Sequence, residues 1–380
     1  VTIFHRKALA DDLAARLLAA PTTSASGSGL FLAAPRRTGK STFLREDLRP
    51  ALEQRGALVI YADLWADKAT DPGDIIVAAI REALSRREGV IARLARSSGL
   101  DKVTVGGLAF TLDKVGLSKG VSLSSALAAL SDEAGTMTVL IVDEAQHAIT
   151  SELGADALFA LKAARDELNS SAHHGLRIVA TGSNRDKLAM LRGSRDQAFF
   201  GAPLVNFPLL GNDYIEWFIA HLPFKQELDA GLVYEWFAEA ACRPEILGGA
   251  VDALVYDMDA RPGQFAERLR LLIQEQVRAS NEEALRVVHS LTPLQSAVLR
   301  VMAGAGSDYA PFEARTMDRY RATLAAIAPD AKVEPETNNV QQALAALQDK
   351  ALVWKAARGV YALEDSFLAD LMRSAGLLDV

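Results

Sequence analysis

The sequence predicts an α/β chain: a parallel sheet layered between helices, followed by a helical bundle and a winged-helix module. Three observations predict it. Strand-like apolar runs alternate with helical stretches over the first half of the chain, the pattern of strand-helix-strand units. One run, Leu30-Phe31-Leu32, leads into Ala33-Ala34-Pro35-Arg36-Arg37-Thr38-Gly39-Lys40-Ser41-Thr42, and another, Thr138-Val139-Leu140-Ile141-Val142, ends on Asp143-Glu144. The residues from Leu291 onward read as three helices and a hairpin.

A strand that ends in a tight loop, with Gly-Lys-Ser opening the next helix, presents backbone N–H groups that can hold phosphate oxygens. On this reading Ala34, Pro35, Arg36, Arg37, Thr38, Gly39, Lys40, Ser41 and Thr42 form a phosphate loop. Lys40 would reach the β- and γ-phosphates, and the Ser41 hydroxyl would sit on Mg²⁺. Ala34 stands where the pattern G-x-x-x-x-G-K-[ST] has its first glycine, so the corner there must accept a Cβ. Pro35 biases Ala34 toward an extended conformation, which suits the last residue of a strand.

The acidic run is β-branched and too short for a helix, as in a buried parallel strand. Asp143 at its carboxyl end is placed to hold Mg²⁺ through water. Glu144 can polarise an attacking water in line with the γ-phosphate. An Asp-Glu pair after a strand also serves as a helix cap and first-turn acid. Two such elements, in this order and each after a strand, point together to nucleotide binding.

Composition narrows the rest. With 380 residues, half of them hydrophobic, the chain can bury a substantial core and divides into two or three domains. The formal net charge of −7 gives no global positive field, so any DNA contact must be local. A single cysteine, Cys242, excludes an internal disulfide framework, and six scattered histidines form no zinc pattern. No apolar stretch approaches about 18 residues, and Asp11 and Asp12 interrupt the first twenty. The expectation is a cytoplasmic protein with neither signal peptide nor membrane anchor.

In chain order, Leu9, Leu13, Leu17 and Leu18 give an amphipathic helix before the loop, and Pro21 to Gly29 is a flexible link. Ala57-Leu58-Val59-Ile60-Tyr61-Ala62-Asp63 is a second strand, with helical periodicity from about Asp74 to Leu94. Residues 102–123 alternate and turn on glycines, which suggests an inserted hairpin, either a partner-contacting projection or an edge of the sheet. Helices are expected over Ser124–Asp132 and from Gln146 to about Leu168.

Leu176-Arg177-Ile178-Val179-Ala180-Thr181-Gly182-Ser183-Asn184 is a fourth strand. Ser183 or Asn184 at its tip could order the attacking water as a γ-phosphate sensor; a strand-ending turn is the alternative. Arg185, Arg192 and Arg195 follow, candidates for an arginine finger acting across subunits, which would require a homo-oligomer. Pro203 to Leu209 gives a fifth strand, and composition is then helical to about Ser290. There Tyr214, Trp217 and Phe218 read as a core-facing aromatic stripe. Arg243, before Pro244 at a helix start, either approaches the phosphates or serves as a cap or salt bridge.

In the last segment, helices over Leu291–Met302, Arg315–Ile327 and Asn338–Leu347 precede a hairpin turning at Arg358-Gly359, a winged-helix pattern. Asn338, Asn339, Gln341 and Gln342 are amides suited to base edges. Nine Lys/Arg against eleven Asp/Glu from Leu291 onward weaken the electrostatic case for DNA, so a DNA or a protein partner stays open.

The Phe4-His5-Arg6 entry, the Ala34-to-Ser41 loop, Asp143-Glu144-Ala145-Gln146, Thr181-Gly182-Ser183 and the terminal winged helix together resemble the AAA+/STAND-type P-loop ATPases. Within these the chain is most similar to the archaeal-type ATPase and origin-initiator-like groups. The resemblance implies a three-layer αβα core over residues 1–210 with sheet order 5-1-4-3-2. It further implies a helical lid over 211–290, a winged-helix domain over 291–380, and ATP with Mg²⁺ as ligands. It makes Ile3 and Phe4 candidate adenine contacts, although two apolar residues can equally staple a helix start. The implied activity is an ATP-hydrolysing switch whose nucleotide state controls the winged helix. An ATP-regulated DNA-binding protein for initiation, transposition or regulation, and an adaptor with a residual nucleotide site, are the alternatives.

Overall fold

The computed structural model describes residues 2–20, 27–87, 89, 94, 115–116, 121–170, 173–193, 197–357 and 359–378. It forms two compact units: His5–Ala33 with Ser41–Phe207, and Val1–Phe4 with Ala34–Lys40 and Pro208–Val380.

The first unit is built on strands β1 (Leu30–Ala33), β2 (Leu58–Asp63), β3 (Val115–Gly116), β4 (Val121–Ser122), β5 (Thr138–Asp143), β6 (Leu176–Gly182) and β7 (Leu204–Asn206). Five of them make one parallel sheet in the order β2-β5-β6-β1-β7. The short pair β3-β4 intervenes in the running numbers; counted within the sheet alone, the order from the β7 edge is 5-1-4-3-2. Every residue of β5 and β6 is buried. Both faces are therefore covered, which explains why these strands read as continuous apolar runs without alternation.

Helices α1 (Lys7–Leu18), α2 (Lys40–Phe43), α3 (Arg49–Gln54), α4 (Pro72–Ser85), α5 (Leu123–Ala134), α6 (Glu152–Ser170) and α7 (Arg185–Ala189) accompany the strands. Between α2 and α3 the chain makes a π-helical turn, Leu44–Leu48. Helix α4 begins where Asp71 accepts the Gly73 N–H and Pro72 occupies the first turn. Helix α5 ends at Gly135, whose φ of 62° closes the helix in the left-handed region. Ile76, Ile80, Leu127, Leu130 and Leu161 from α4, α5 and α6 join Phe31, Ile60, Leu140 and Ile178 of the strands in one core.

Several boundaries differ from the sequence reading. Between residues 102 and 123 the described rungs, Val115 with Val121 and Gly116 with Ser122, pair parallel, so they are not a hairpin; residues 102–114 and 117–120 lie outside the described residues, and Leu123 opens α5. Alternation reveals an extended chain but not its direction. The helix expected from Gln146 starts instead as a 3-10 turn, Ala145–Thr150, and becomes α-helical only from Glu152. The fifth strand shrinks to Leu204–Asn206 because Pro203 and Pro208 have no N–H to give the ladder. Phe207 still donates its N–H to Ala33 at 2.7 Å.

The second unit has two helical cores. Helices α8 (Asn212–Ala220), α9 (Ala230–Glu239), α10 (Pro244–Val255) and α11 (Phe265–His289) bury Ile215, Val233, Phe237, Leu247, Leu269 and Ile273. Tyr214 belongs to this core, with Trp217 and Phe218 packed against it, as the aromatic spacing predicts. Helices α12 (Pro293–Ala305), α13 (Ala314–Ile327) and α14 (Thr337–Asp349) and the antiparallel hairpin β8 (Val353–Ala357) and β9 (Val360–Leu363) follow. They enclose Val298, Leu299, Tyr320, Leu344, Leu347 and Tyr361. A further helix, α15 (Phe367–Ser374), places Leu368 and Met372 in that core and is not anticipated by the sequence reading. Among the described residues no helix is long and apolar enough to cross a membrane.

Candidate nucleotide site

The phosphate loop leaves β1 at Ala33. Ala34 is buried, and the positive-φ residues of the loop are Arg37 at 62° and Gly39 at 80°. The corner at Ala34 thus needs no left-handed backbone, which is why an alanine can replace the usual glycine there. Thr38 donates its hydroxyl to the Pro35 carbonyl at 2.8 Å and ties the loop across itself. A Cβ built on Gly39 would meet nothing within 4 Å, yet φ in this region strains any other residue. Lys40 is buried at the first position of α2, followed by half-buried Ser41 and exposed Thr42. Within the same unit, Arg36 pairs with Glu364 just after β9, and Arg37 lies 3.9 Å from Glu245 in the first turn of α10.

The acidic strand ends in a dense polar cluster. Parallel register sets Asp63 of β2 beside Asp143 of β5, and Val142 beside Ala180 of β6. Asp143, 1% exposed, accepts from the Thr181 hydroxyl and the Glu144 N–H on Oδ1, and from the Tyr61 hydroxyl on Oδ2 at 2.9 Å. Burial, and then the Asp143 carboxylate, push the Tyr61 phenol well above its ordinary pKa. Arg45, from the π-helical turn, donates to the Tyr61 oxygen at 3.1 Å and to Asp63. Burial works against the Arg45 charge, but Tyr61, Asp63 and Asp143 outweigh it and raise its pKa.

Glu144 is a non-glycine residue at φ 53°, ψ 42°, in the left-handed region that side-chain-bearing residues seldom adopt. Its Oε2 accepts from Gln146 Nε2 at 2.6 Å and from the Ser183 hydroxyl at 3.0 Å. The structure therefore brings Glu144 and Ser183 together. Asn184 is instead the N-cap of α7, accepting from the Asp186 and Lys187 N–H groups. Arg192 donates to the Ala202 carbonyl, Arg185 to Asn206, and Arg195 lies outside the described residues.

Phe4 packs edge-on against Tyr214 and beside Trp217, with ring centroids 5.4 Å apart in each case. Arg243 donates to Ala240 and lies over the Phe367 ring at 5.2 Å. Tyr61, Arg45 and Gln146 are contributors that the motifs do not single out as site residues. Only the alignment of Tyr61 with the acidic strand, two residues before a strand end, could have drawn attention to it.

No protein-family model matches this chain, and no curated protein does. Among solved structures, the Walker-type ATPase of Pyrococcus abyssi is similar at 18% identity and TM-score 0.51, covering 98% of this chain and 96% of that one. The ADP form of the Aeropyrum pernix ORC2 protein is similar at 16% identity and TM-score 0.50, covering 99% and 94%. The chain has the fold of a Walker-type ATPase. Asp143 is the last residue of β5, and Ser183 directly follows β6.

Proposed function

We propose that the chain binds ATP with Mg²⁺ and hydrolyses it, and that the bound nucleotide sets the state of the winged-helix module. The observation that carries this reading is the acidic end of β5. There a doubly oriented Asp143 is followed by a Glu144 whose carboxylate is bonded to Ser183 at the tip of the neighbouring strand. Backbone N–H groups of Pro35-free positions 36–41 and the Lys40 ammonium are the phosphate ligands in this proposal. Ser41 and Asp143 supply one hydroxyl and one carboxylate, a donor set that suits Mg²⁺, which completes its shell with water and phosphate oxygens. When bound, the ion neutralises charge on the phosphates.

Glu144 is the general base for the attacking water, and Ser183, bonded to it, reports on the γ-phosphate side. Lys40→Ala is expected to abolish binding of a fluorescent ATP analogue. Glu144→Gln is expected to retain binding while phosphate release falls by at least about a hundred-fold. Parental turnover in the Gln variant would refute the catalytic assignment.

One observation favours a second reading, ATP-regulated DNA binding. Helix α14 exposes Thr337, Asn338, Gln341 and Gln342 along one side while burying Val340, Leu344 and Leu347. Exposed amides can read adenine edges. A salt-titrated duplex-binding assay with and without ATP decides it: no salt-sensitive affinity in either state removes the DNA reading.

A further inference from the structure

Asp143 is aimed by a residue from the neighbouring strand. Tyr61 and Asp63 sit two apart on β2 and so project to the same face, and the register places Asp63 level with Asp143. The Tyr61 hydroxyl reaches forward to Asp143 Oδ2 at 2.9 Å. A phenol can donate one hydrogen bond and accept others, so its direction depends on what else it meets. Here it meets Arg45 Nε at 3.1 Å. A guanidinium has donors and no acceptor, so the phenol proton cannot point at Arg45 and is directed onto the carboxylate.

Arg45 is itself held. It is bonded to Asp63, which also accepts the Trp65 N–H at 3.0 Å, and its guanidinium lies 5.2 Å from the centre of the Tyr61 ring. The π-helical turn Leu44–Leu48 that carries Arg45 is an irregularity of the kind found at functional sites. Its first residue, Leu44, lies four positions after Lys40 in the chain.

Resting on the nucleotide reading above, we propose that Tyr61, oriented by Arg45, is a positioning residue that fixes the rotation of the Asp143 carboxylate for Mg²⁺. Partners of a metal-binding carboxylate set its orientation and basicity, and their loss weakens the metal rather than the rest of the ligand. Tyr61→Phe keeps the ring and its contact with Arg45 and removes only the hydroxyl. Arg45→Ala lies at a half-exposed side chain and frees the phenol to turn away.

The test is binding of a fluorescent ATP analogue to the full chain, titrated with Mg²⁺ and repeated in chelator. Tyr61→Phe is expected to raise the Mg²⁺ concentration for half-maximal enhancement about ten-fold while chelator binding stays within about two-fold of the parent. Arg45→Ala is expected to give a smaller loss of the same kind, and no further loss in the Tyr61→Phe background, because both act through one hydrogen bond. Parental Mg²⁺ dependence in Tyr61→Phe, or equal losses with and without Mg²⁺, would overturn the inference alone. Absence of any Mg²⁺ enhancement in the parental chain would overturn the nucleotide reading and this inference with it.

Discussion

A methyl group added at Gly182 would meet Gln146 Oε1 at 2.3 Å and the Leu188 side chain at 2.8 Å. Gln146 is fully buried, so it cannot swing into solvent to make room. Gly182→Ala should therefore push the Gln146 amide off Glu144 and destabilise the chain by about 1–3 kcal/mol, the ordinary cost of overpacking. Denaturant unfolding reads the stability loss, and on the proposed ATPase reading the loss of hydrolysis should exceed that of ATP binding. Asn184 gives a contrasting case. As an N-cap its removal is expected to cost about 1 kcal/mol, and Asn184→Ala should leave turnover per folded molecule unchanged in a phosphate-release assay. A side chain at a strand tip can order water or cap the next helix, and both uses have the same sequence signature. For that reason the sequence offers Ser183 and Asn184 equally, and the hydrogen bonds add only that Ser183 meets Glu144 while Asn184 caps α7.

At the scale of elements, α12 shows how completely local chemistry can specify a boundary. Thr292 accepts the Gln295 N–H, Gln295 returns a bond to the Thr292 N–H, and Pro293 fills the first helical position. Thr292→Ala should lower stability by about 1 kcal/mol in urea unfolding, most of it from the lost cap. The first four sheet strands are legible for a similar reason, each an apolar run of the right length between helical patterns, whereas the fifth keeps only Leu204–Asn206 of its run. The π-helical turn was not legible, because Leu44, Leu48 and Leu52 keep an apolar spacing that an uninterrupted helix also satisfies. The 3-10 turn after Glu144 escaped notice likewise, since Ala145, Gln146 and Ala148 are buried as a helix face would be. What failed in each case was hydrogen-bond register, which side-chain periodicity does not encode.

At the scale of the whole molecule, acidity and buried phenols set the pH response. Burial, with the Glu245 charge adding to it, pushes Tyr214 up to about 12, and burial likewise raises Tyr309, Tyr320 and Tyr361. Below pH 10 these phenols are protonated in both folded and unfolded chains, so they add no pH dependence. Above it the unfolded chain loses protons first, and stability should fall steadily from pH 10 to about 12. Urea midpoints across that range check this, and Tyr214→Phe should flatten part of the slope.

Charge also bears on the loop proposed to hold phosphate. Two arginines of the loop already have anionic neighbours inside their own unit, Glu364 for Arg36 and Glu245 for Arg37. On the nucleotide reading proposed above, a triphosphate arriving there would find these cations already paired with resident counter-ions, so binding would be an exchange of one anion for another. Glu364→Gln empties one of those seats; nucleotide affinity should then rise several-fold, most clearly at low ionic strength, where unscreened charges compete hardest.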